Sequence, residues 1–222
     1  MIILRKPIQK ISYTKGEEIF SAVTHIVGAG LGILGTAWLI VIAALYADAL
    51  TVVSCAIYGA SMIILYTMSS LYHFLANEKA KKFFRIMDHD TIFLLIAGTY
   101  TPYTLIPLRG VVGWTLFGII WGMAIIGVVF NSIDLERYKI PSLICYVIMG
   151  WAIIFTIRPL LESTSIFSFV FLLLGGVFYT GGIFFYAKKR VKYFHSIWHI
   201  FVLLGTIFQY ISILEIVLSF QK

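Results

Sequence analysis

Seven long apolar runs constrain this chain of 222 residues more than any other feature of its sequence. A helix that crosses the roughly 30 Å hydrocarbon core of a bilayer needs about 20 mostly apolar residues. The runs that meet this requirement are residues 20–45, 51–74, 89–108, 111–131, 141–158, 165–187 and 196–219. The connecting loops are all short. The sequence therefore predicts an all-α, polytopic bundle of seven transmembrane helices, built as a single integral membrane domain over residues 1–222.

Composition supports a membrane class and argues against a soluble one. Hydrophobic residues make up 60% of the chain and charged residues 12%, whereas soluble domains are near half apolar and a quarter charged. The mean hydropathy is +0.96. No cleavable signal peptide is expected, because the N-terminus is polar and basic through Lys15 and the first apolar run is too long for a signal sequence.

The distribution of lysine and arginine predicts the orientation of the bundle. Of the 17 basic residues, fourteen lie in the N-terminal segment and in the segments 75–88, 132–140 and 188–195, which share one side. The other side has Arg109, Arg158 and Lys222. By the positive-inside rule the N-terminus of this multi-pass protein is cytoplasmic and the C-terminus is extracytoplasmic. The net charge of +7 then reflects topology and contact with anionic membrane lipids, and no nucleic-acid partner is expected.

All five histidines fall in one predicted layer near the cytoplasmic face, together with two aspartates at the start of the third span. These residues are His25, His73, His89, His195, His199, Asp88 and Asp90. Random placement over seven spans would not be expected to produce such a layer. Taken singly, His25 or His89 is better explained as an interfacial imidazole that reaches water or a lipid head group.

His195 and His199 carry a stronger signal, because residues four apart project from the same face of a helix about 6 Å apart. Two neutral imidazoles in this arrangement can hold zinc at ~2.0–2.1 Å, and His73 on another helix can be the third ligand. Three protein ligands leave a fourth position for water, as in catalytic zinc sites.

Three polar residues are predicted to lie near these histidines, namely Ser69, Asp88 and Asp90. Ser69 shares the face of His73 one turn deeper, where its hydroxyl can reach a water or a substrate carbonyl, or bond a carbonyl of its own helix. Asp88 can accept a proton from a bound water, can cap the third span, or can do both. Asp90 either faces the same cavity or simply favours the N-terminus of its helix.

Several motifs, taken in order, resemble the haemolysin III family, a bacterial family related to the progestin and adipoQ receptors, which include the adiponectin receptors. The motifs are SSLYH (69–73), MDHDTIFLLIAGTYTP (87–102) and HSIWH (195–199). EEIFSAVTH (17–25) resembles the family's opening motif, with Ser21 where asparagine is usual. Asp90 stands where relatives often have a small residue. The resemblance covers the chain from Glu17 to the last span.

This resemblance implies a zinc site formed by His73, His195 and His199, an aspartate that holds the hydrolytic water (Asp88) and a serine (Ser69). The wider superfamily contains alkaline ceramidases, which implies hydrolysis of lipid amides and an amphiphilic lipid substrate. Two other functions stay open at this point. The family's name suggests a pore-forming, cytolytic protein, and a structural zinc ion would suit a receptor or sensor.

Overall fold

All regular structure is helical in the part of the chain that the computed structural model describes, residues 13–188 and 191–221. The α-helices are α1 (Lys15–Tyr46), α2 (Ala49–Phe74), α3 (Glu78–Leu105), α4 (Val111–Trp151), α5 (Ile157–Ser163), α6 (Ile166–Ala187) and α7 (Phe194–Leu218). Short 3₁₀ helices cover Ala152–Thr156 and Ser219–Gln221. The prediction of an all-α fold is confirmed. Six cations used to predict the orientation lie outside the described residues: Arg5, Lys6, Lys10, Lys189, Arg190 and Lys222.

Polar side chains fix where the first three helices begin. Thr14 and Glu17 form a capping box at α1, each side chain accepting a hydrogen bond from the other's backbone N–H. Asp48 caps α2 by accepting from the backbone of Thr51, and Asn77 caps α3. Because of the cap at Asn77, α3 begins eleven residues before the predicted span 89–108, and much of the segment 75–88 is helical.

Helix α4 covers the predicted span 111–131 and much of the predicted span 141–158, and it is broken between them. Asp134 leaves the helical region with φ −156° and ψ 88°. Its carboxylate accepts a hydrogen bond of 3.0 Å from the backbone N–H of Arg137, which caps the helix that follows. The segment 132–140 is therefore helical except for a sharp break at Asp134, and we refer to residues 111–133 and 135–151 as the first and second parts of α4.

Five stretches are long and apolar enough to cross a membrane within the described ranges. They are Lys15–Tyr46, Ala49–Phe74, Val111–Ser163, Ile166–Ala187 and Phe194–Gln221. Helix α3 is not among them, since charged residues in its first half and threonine, tyrosine and proline residues in its second half lower its mean hydropathy. Most of its residues from Asp90 to Leu105 are buried, as expected for a helix surrounded by others.

Helices α1, α2, α3 and α4 pack in sequence, while α7 packs on both α6 and α1. Close approaches depend on small residues, as is usual between membrane helices. A Cβ atom on Gly98 would collide with Ser61, and one on Gly127 would collide with the ring of Phe93. The end of α2 and the beginnings of α1, α3 and α7 meet at one end of this bundle.

Candidate metal centre

Three buried histidines meet where α2 ends and α7 begins. His73 lies in the last turn of α2, and His195 and His199 lie in the first two turns of α7. Their exposed fractions are 3%, 6% and 2%. Imidazoles buried this completely require partners, because desolvation of an unpaired polar group is costly.

The ring nitrogens converge at the spacing that a metal ion requires. His195 Nε2 lies 3.3 Å from His73 Nε2 and 3.2 Å from His199 Nε2. One ligand nitrogen from each ring lies within 4.8 Å of the others. At a zinc–nitrogen distance of ~2.05 Å, the tetrahedral angle separates two ligands by about 3.3 Å. Two of the three separations match this distance, and the three residues could hold a metal ion.

Glu18 sets the tautomer of one of these histidines. His73 Nδ1 donates to the Glu18 carboxylate at 2.7 Å, so its Nε2 carries the lone pair that faces the other two rings. Lys81 Nζ donates to the other carboxylate oxygen at 2.6 Å. A carboxylate behind a histidine is the usual support of a metal ligand. The sequence predicts no specific role for Glu18, because an acidic residue in the first turn of a helix is also explained by the helix dipole.

Glu17 holds the first turn of α7 against α1. Its carboxylate accepts from the backbone N–H of Tyr193 at 2.7 Å. Tyr193 has the left-handed φ of 63°, which is unusual for a non-glycine residue and turns the chain into α7. The hydroxyls of Ser21 and Ser196 lie 3.2 Å apart and add a second link. These contacts position His195, two residues after Tyr193.

The predicted catalytic residues line a cavity of about 140 Å³ together with two of the histidines. Ser69, Asp88, His195 and His199 all contribute to its walls. Ser69 is 1% exposed, and its hydroxyl oxygen has no hydrogen-bond partner in residues 13–188 and 191–221. A buried, unpaired hydroxyl beside the histidines is what a site for a water or a substrate carbonyl would contain.

Apolar side chains make up most of the remaining walls. The cavity follows α7 as far as Gln209, which is about 21 Å from His195 at 1.5 Å per residue. Its apolar walls include Leu65, Ile92, Leu95, Ile96, Leu143, Val147, Ile183 and Val202. The polar end of a long apolar cavity therefore lies at the histidine cluster.

The other residues of the predicted layer take different positions. His25 lines the cavity and stacks on the His199 ring at 3.9 Å, with 28° between the planes. His89 also lines it, with Nδ1 2.9 Å from the carbonyl oxygen of Arg85. Asp90 is not part of the cavity wall and accepts instead from Ser132 of α4.

Tyr13, just before α1, covers the cluster. Its ring stacks on His195 at 4.6 Å with 12° between the planes, and lies 6.1 Å from the His73 ring. Burial raises the pKa of the Tyr13 hydroxyl, so the group stays neutral near pH 7. No periodicity or motif in the sequence marks this tyrosine, since the contact joins residues 182 positions apart.

Together, the apolar helices and the internal cluster define a multi-pass helical membrane protein with three histidines arranged for a metal ion. Comparison with known proteins specifies it further. A family model described as "Haemolysin-III related" matches residues 13–210. The chain belongs to the haemolysin III family, as its motifs predicted.

Named relatives support the same assignment. "Hemolysin-3" of Bacillus cereus is 45% identical over 202 residues, which cover 91% of this chain and 92% of that protein. "Hemolysin-3 homolog" of Bacillus subtilis is 42% identical, covering 91% and 95%. A more distant relative, "Monocyte to macrophage differentiation factor" of Homo sapiens, is 26% identical over 163 residues, covering 71% and 67%.

Proposed function

We propose that this protein is a zinc-dependent hydrolase of lipid amides or related acyl lipids. The observation that carries the proposal is the convergence of three histidine nitrogens, 3.2 and 3.3 Å apart, beside a mainly apolar cavity. His73, His195 and His199 are the proposed ligands. Zinc held there would supply a Lewis acid and a water activated near neutral pH.

Two side chains of the cavity take the remaining chemical roles. The Asp88 carboxylate orients the attacking water, accepts its proton and passes that proton to the leaving group. The Ser69 hydroxyl, free of other partners in the described ranges, donates a hydrogen bond to the developing oxyanion. Both residues line the cavity that His195 and His199 enter.

The shape of the cavity favours an amphiphilic substrate. Its apolar walls suit an acyl chain, whose head group would then reach the histidine end. The end remote from the histidines meets hydrogen-bonded side chains. Gln209 accepts a hydrogen bond from the Tyr103 hydroxyl at 3.0 Å and donates to the carbonyl oxygen of Leu172 at 3.0 Å.

Lysis is the second candidate function, because two relatives carry the name "Hemolysin-3". A pore needs a polar path through the whole bilayer. At the remote end of the cavity the Gln209 side chain is held by Tyr103 and by the Leu172 carbonyl, which favours a closed pocket over such a path.

We further propose seven crossings of the bacterial inner membrane, with a cytoplasmic N-terminus. The stretch Val111–Ser163 has 53 residues, about 80 Å as a straight helix, which is more than twice the hydrocarbon thickness. Its break at Asp134 supports two crossings, and the buried α3 supplies a crossing shielded by protein. A reporter after Lys222 should be extracytoplasmic and one inserted at Lys79–Lys82 cytoplasmic. Both reporters on one side would contradict seven crossings.

Metal analysis tests the ligands. Purified protein should bind one zinc per chain, and alanine at His73, His195 or His199 should greatly weaken binding. His89→Ala is the matched control, because His89 lies in the same cavity with Nδ1 engaged by the Arg85 carbonyl. Loss of metal in His89→Ala with retention in His73→Ala would show that the ligand assignment is wrong.

Asp88→Asn tests whether the metal is catalytic. The variant keeps the size of the side chain but cannot accept the proton, so hydrolysis of N-acyl lipids should fall by ~10²-fold or more at matched zinc occupancy. Dye leakage from liposomes should be the same for both proteins. Equal turnover in both would remove Asp88 from the mechanism. No turnover in either would favour a structural zinc ion, and leakage that requires the folded protein would favour a pore.

A further inference from the structure

Asp90 is a buried carboxylate outside the histidine cavity. It lies on α3 and is 3% exposed. Its Oδ2 accepts a hydrogen bond of 2.9 Å from the hydroxyl of Ser132 on α4. Its Oδ1 is buried and has no hydrogen-bond partner in residues 13–188 and 191–221. A buried carboxylate oxygen without a partner is a position where a ligand would replace the hydrogen bonds to water that are lost on burial.

The surroundings of Asp90 are rich in oxygen atoms and come from both sides of the break in α4. Asn131, beside Ser132, is fully buried, and its Oδ1 accepts from the Ser142 hydroxyl at 2.6 Å. Tyr146 connects this group to α3, because its hydroxyl donates to the carbonyl oxygen of His89 at 2.8 Å. The carboxylate, amide and hydroxyl oxygens thus form one connected cluster where α3 meets the two parts of α4.

The charge of Asp90 is not balanced by a basic side chain. Within the two described ranges no lysine or arginine forms an ion pair with it, and Arg85, earlier on α3, pairs with Glu136 instead. The first part of α4 ends at Asp134, just beyond Asn131 and Ser132, and the C-terminal end of a helix carries a partial negative charge. Both features favour a cation at this position.

We propose that Asp90, Asn131, Ser132 and Ser142 form a site for a monovalent cation, sodium, separate from the three histidines. Carboxylate, amide and hydroxyl oxygens are hard donors, which suit sodium better than zinc. One carboxylate balances one positive charge, whereas a divalent ion would leave a net charge buried. Broken helices that place their ends at an ion are the usual sodium sites of membrane transporters. Ser132 is exposed and offers the ion a route to the cluster.

The site is tested by measuring the binding of radioactive sodium to the purified full chain. The buffer contains choline as the other cation, and every sample has the same zinc content. Wild type should bind one sodium per chain saturably, and Asp90→Asn should abolish this binding. Asp134→Asn is the matched control, because Asp134 carries the same group near the same break but is used to cap the second part of α4. It should bind sodium like wild type.

Ser132→Ala provides a second variant in case Asp90→Asn does not fold. This exposed change should leave the fold intact and weaken sodium binding by about three- to tenfold, the effect of losing one neutral oxygen partner. Sodium should also raise the melting temperature of wild type, since a ligand of the native state stabilises it. Absence of saturable binding in wild type, or unchanged binding in a folded Asp90→Asn protein, would overturn the proposal.

Discussion

Replacement of Glu18 by glutamine gives the sharpest test of how α1 supports the proposed metal ligands. Glu18 accepts from His73 at 2.7 Å and from Lys81 at 2.6 Å, so both contacts depend on a carboxylate. Glutamine can still accept from His73 but no longer polarises the ring or balances the lysine. His73 then becomes a weaker base at Nε2 and a less firmly oriented ligand.

The magnitude follows from the kind of contact that is lost. Removal of the partner behind a metal-bound histidine typically lowers metal affinity by about 10–100-fold. That range corresponds to about 1.4–2.7 kcal/mol, comparable with one hydrogen bond to a charged group. We expect Glu18→Gln to lie at the lower end, since its amide oxygen remains an acceptor, and Glu18→Ala at the upper end.

Competition with a calibrated chelator measures zinc affinity directly and does not require an assayable substrate. Lys81→Met separates the effect of the lysine from that of the carboxylate. This change should lower zinc affinity less than Glu18→Gln does. Glu162→Gln is the matched control, because Glu162 is exposed and pairs with Arg158 at 3.1 Å far along the chain. If Glu18→Gln and Glu18→Ala both bind zinc as tightly as wild type, the support of His73 by Glu18 has no energetic consequence.

Two other predictions concern stability. Gly127→Ala should destabilise the protein by about 1–3 kcal/mol, because the added methyl group would collide with the Phe93 ring. Gly118→Ala is the control on the same helix. Its methyl group would meet open space, so this change should be neutral or stabilising. Hydrogen bonds from the backbone and hydroxyl of Thr51, with the Arg109 guanidinium, lower the pKa of Asp48 to about 2. The unfolded value is about 3.9, so this stabilisation is complete above that pH and is lost as pH falls towards 2. The difference in melting temperature between wild type and Asp48→Asn should therefore shrink over this acid range, and a constant difference would contradict the assignment.

The sequence alone determined the class of protein and the helical face shared by two of its histidines. Apolar runs predicted helices in a membrane, and the motifs around His73, Asp88 and His195 predicted the haemolysin III family. Helical spacing placed His195 and His199 on one face, since that relation lies within a single helix and depends only on its period. The ends of the runs were less well determined, because the caps at Asn77 and Asp134 extend helices into segments rich in charge.

Only the tertiary structure decided which faces of different helices meet. The pairing of Glu18 with His73 joins residues 55 positions apart, and its geometry depends on how α1 and α2 are rotated against each other. The same is true of Asp90, which turns to Ser132 on α4 although Asp88, two residues earlier, lines the cavity. Periodicity gives the direction of a side chain about its own helix axis. Rotation and register between helices follow from packing at positions such as Gly98 and Gly127, where small residues let the helices approach.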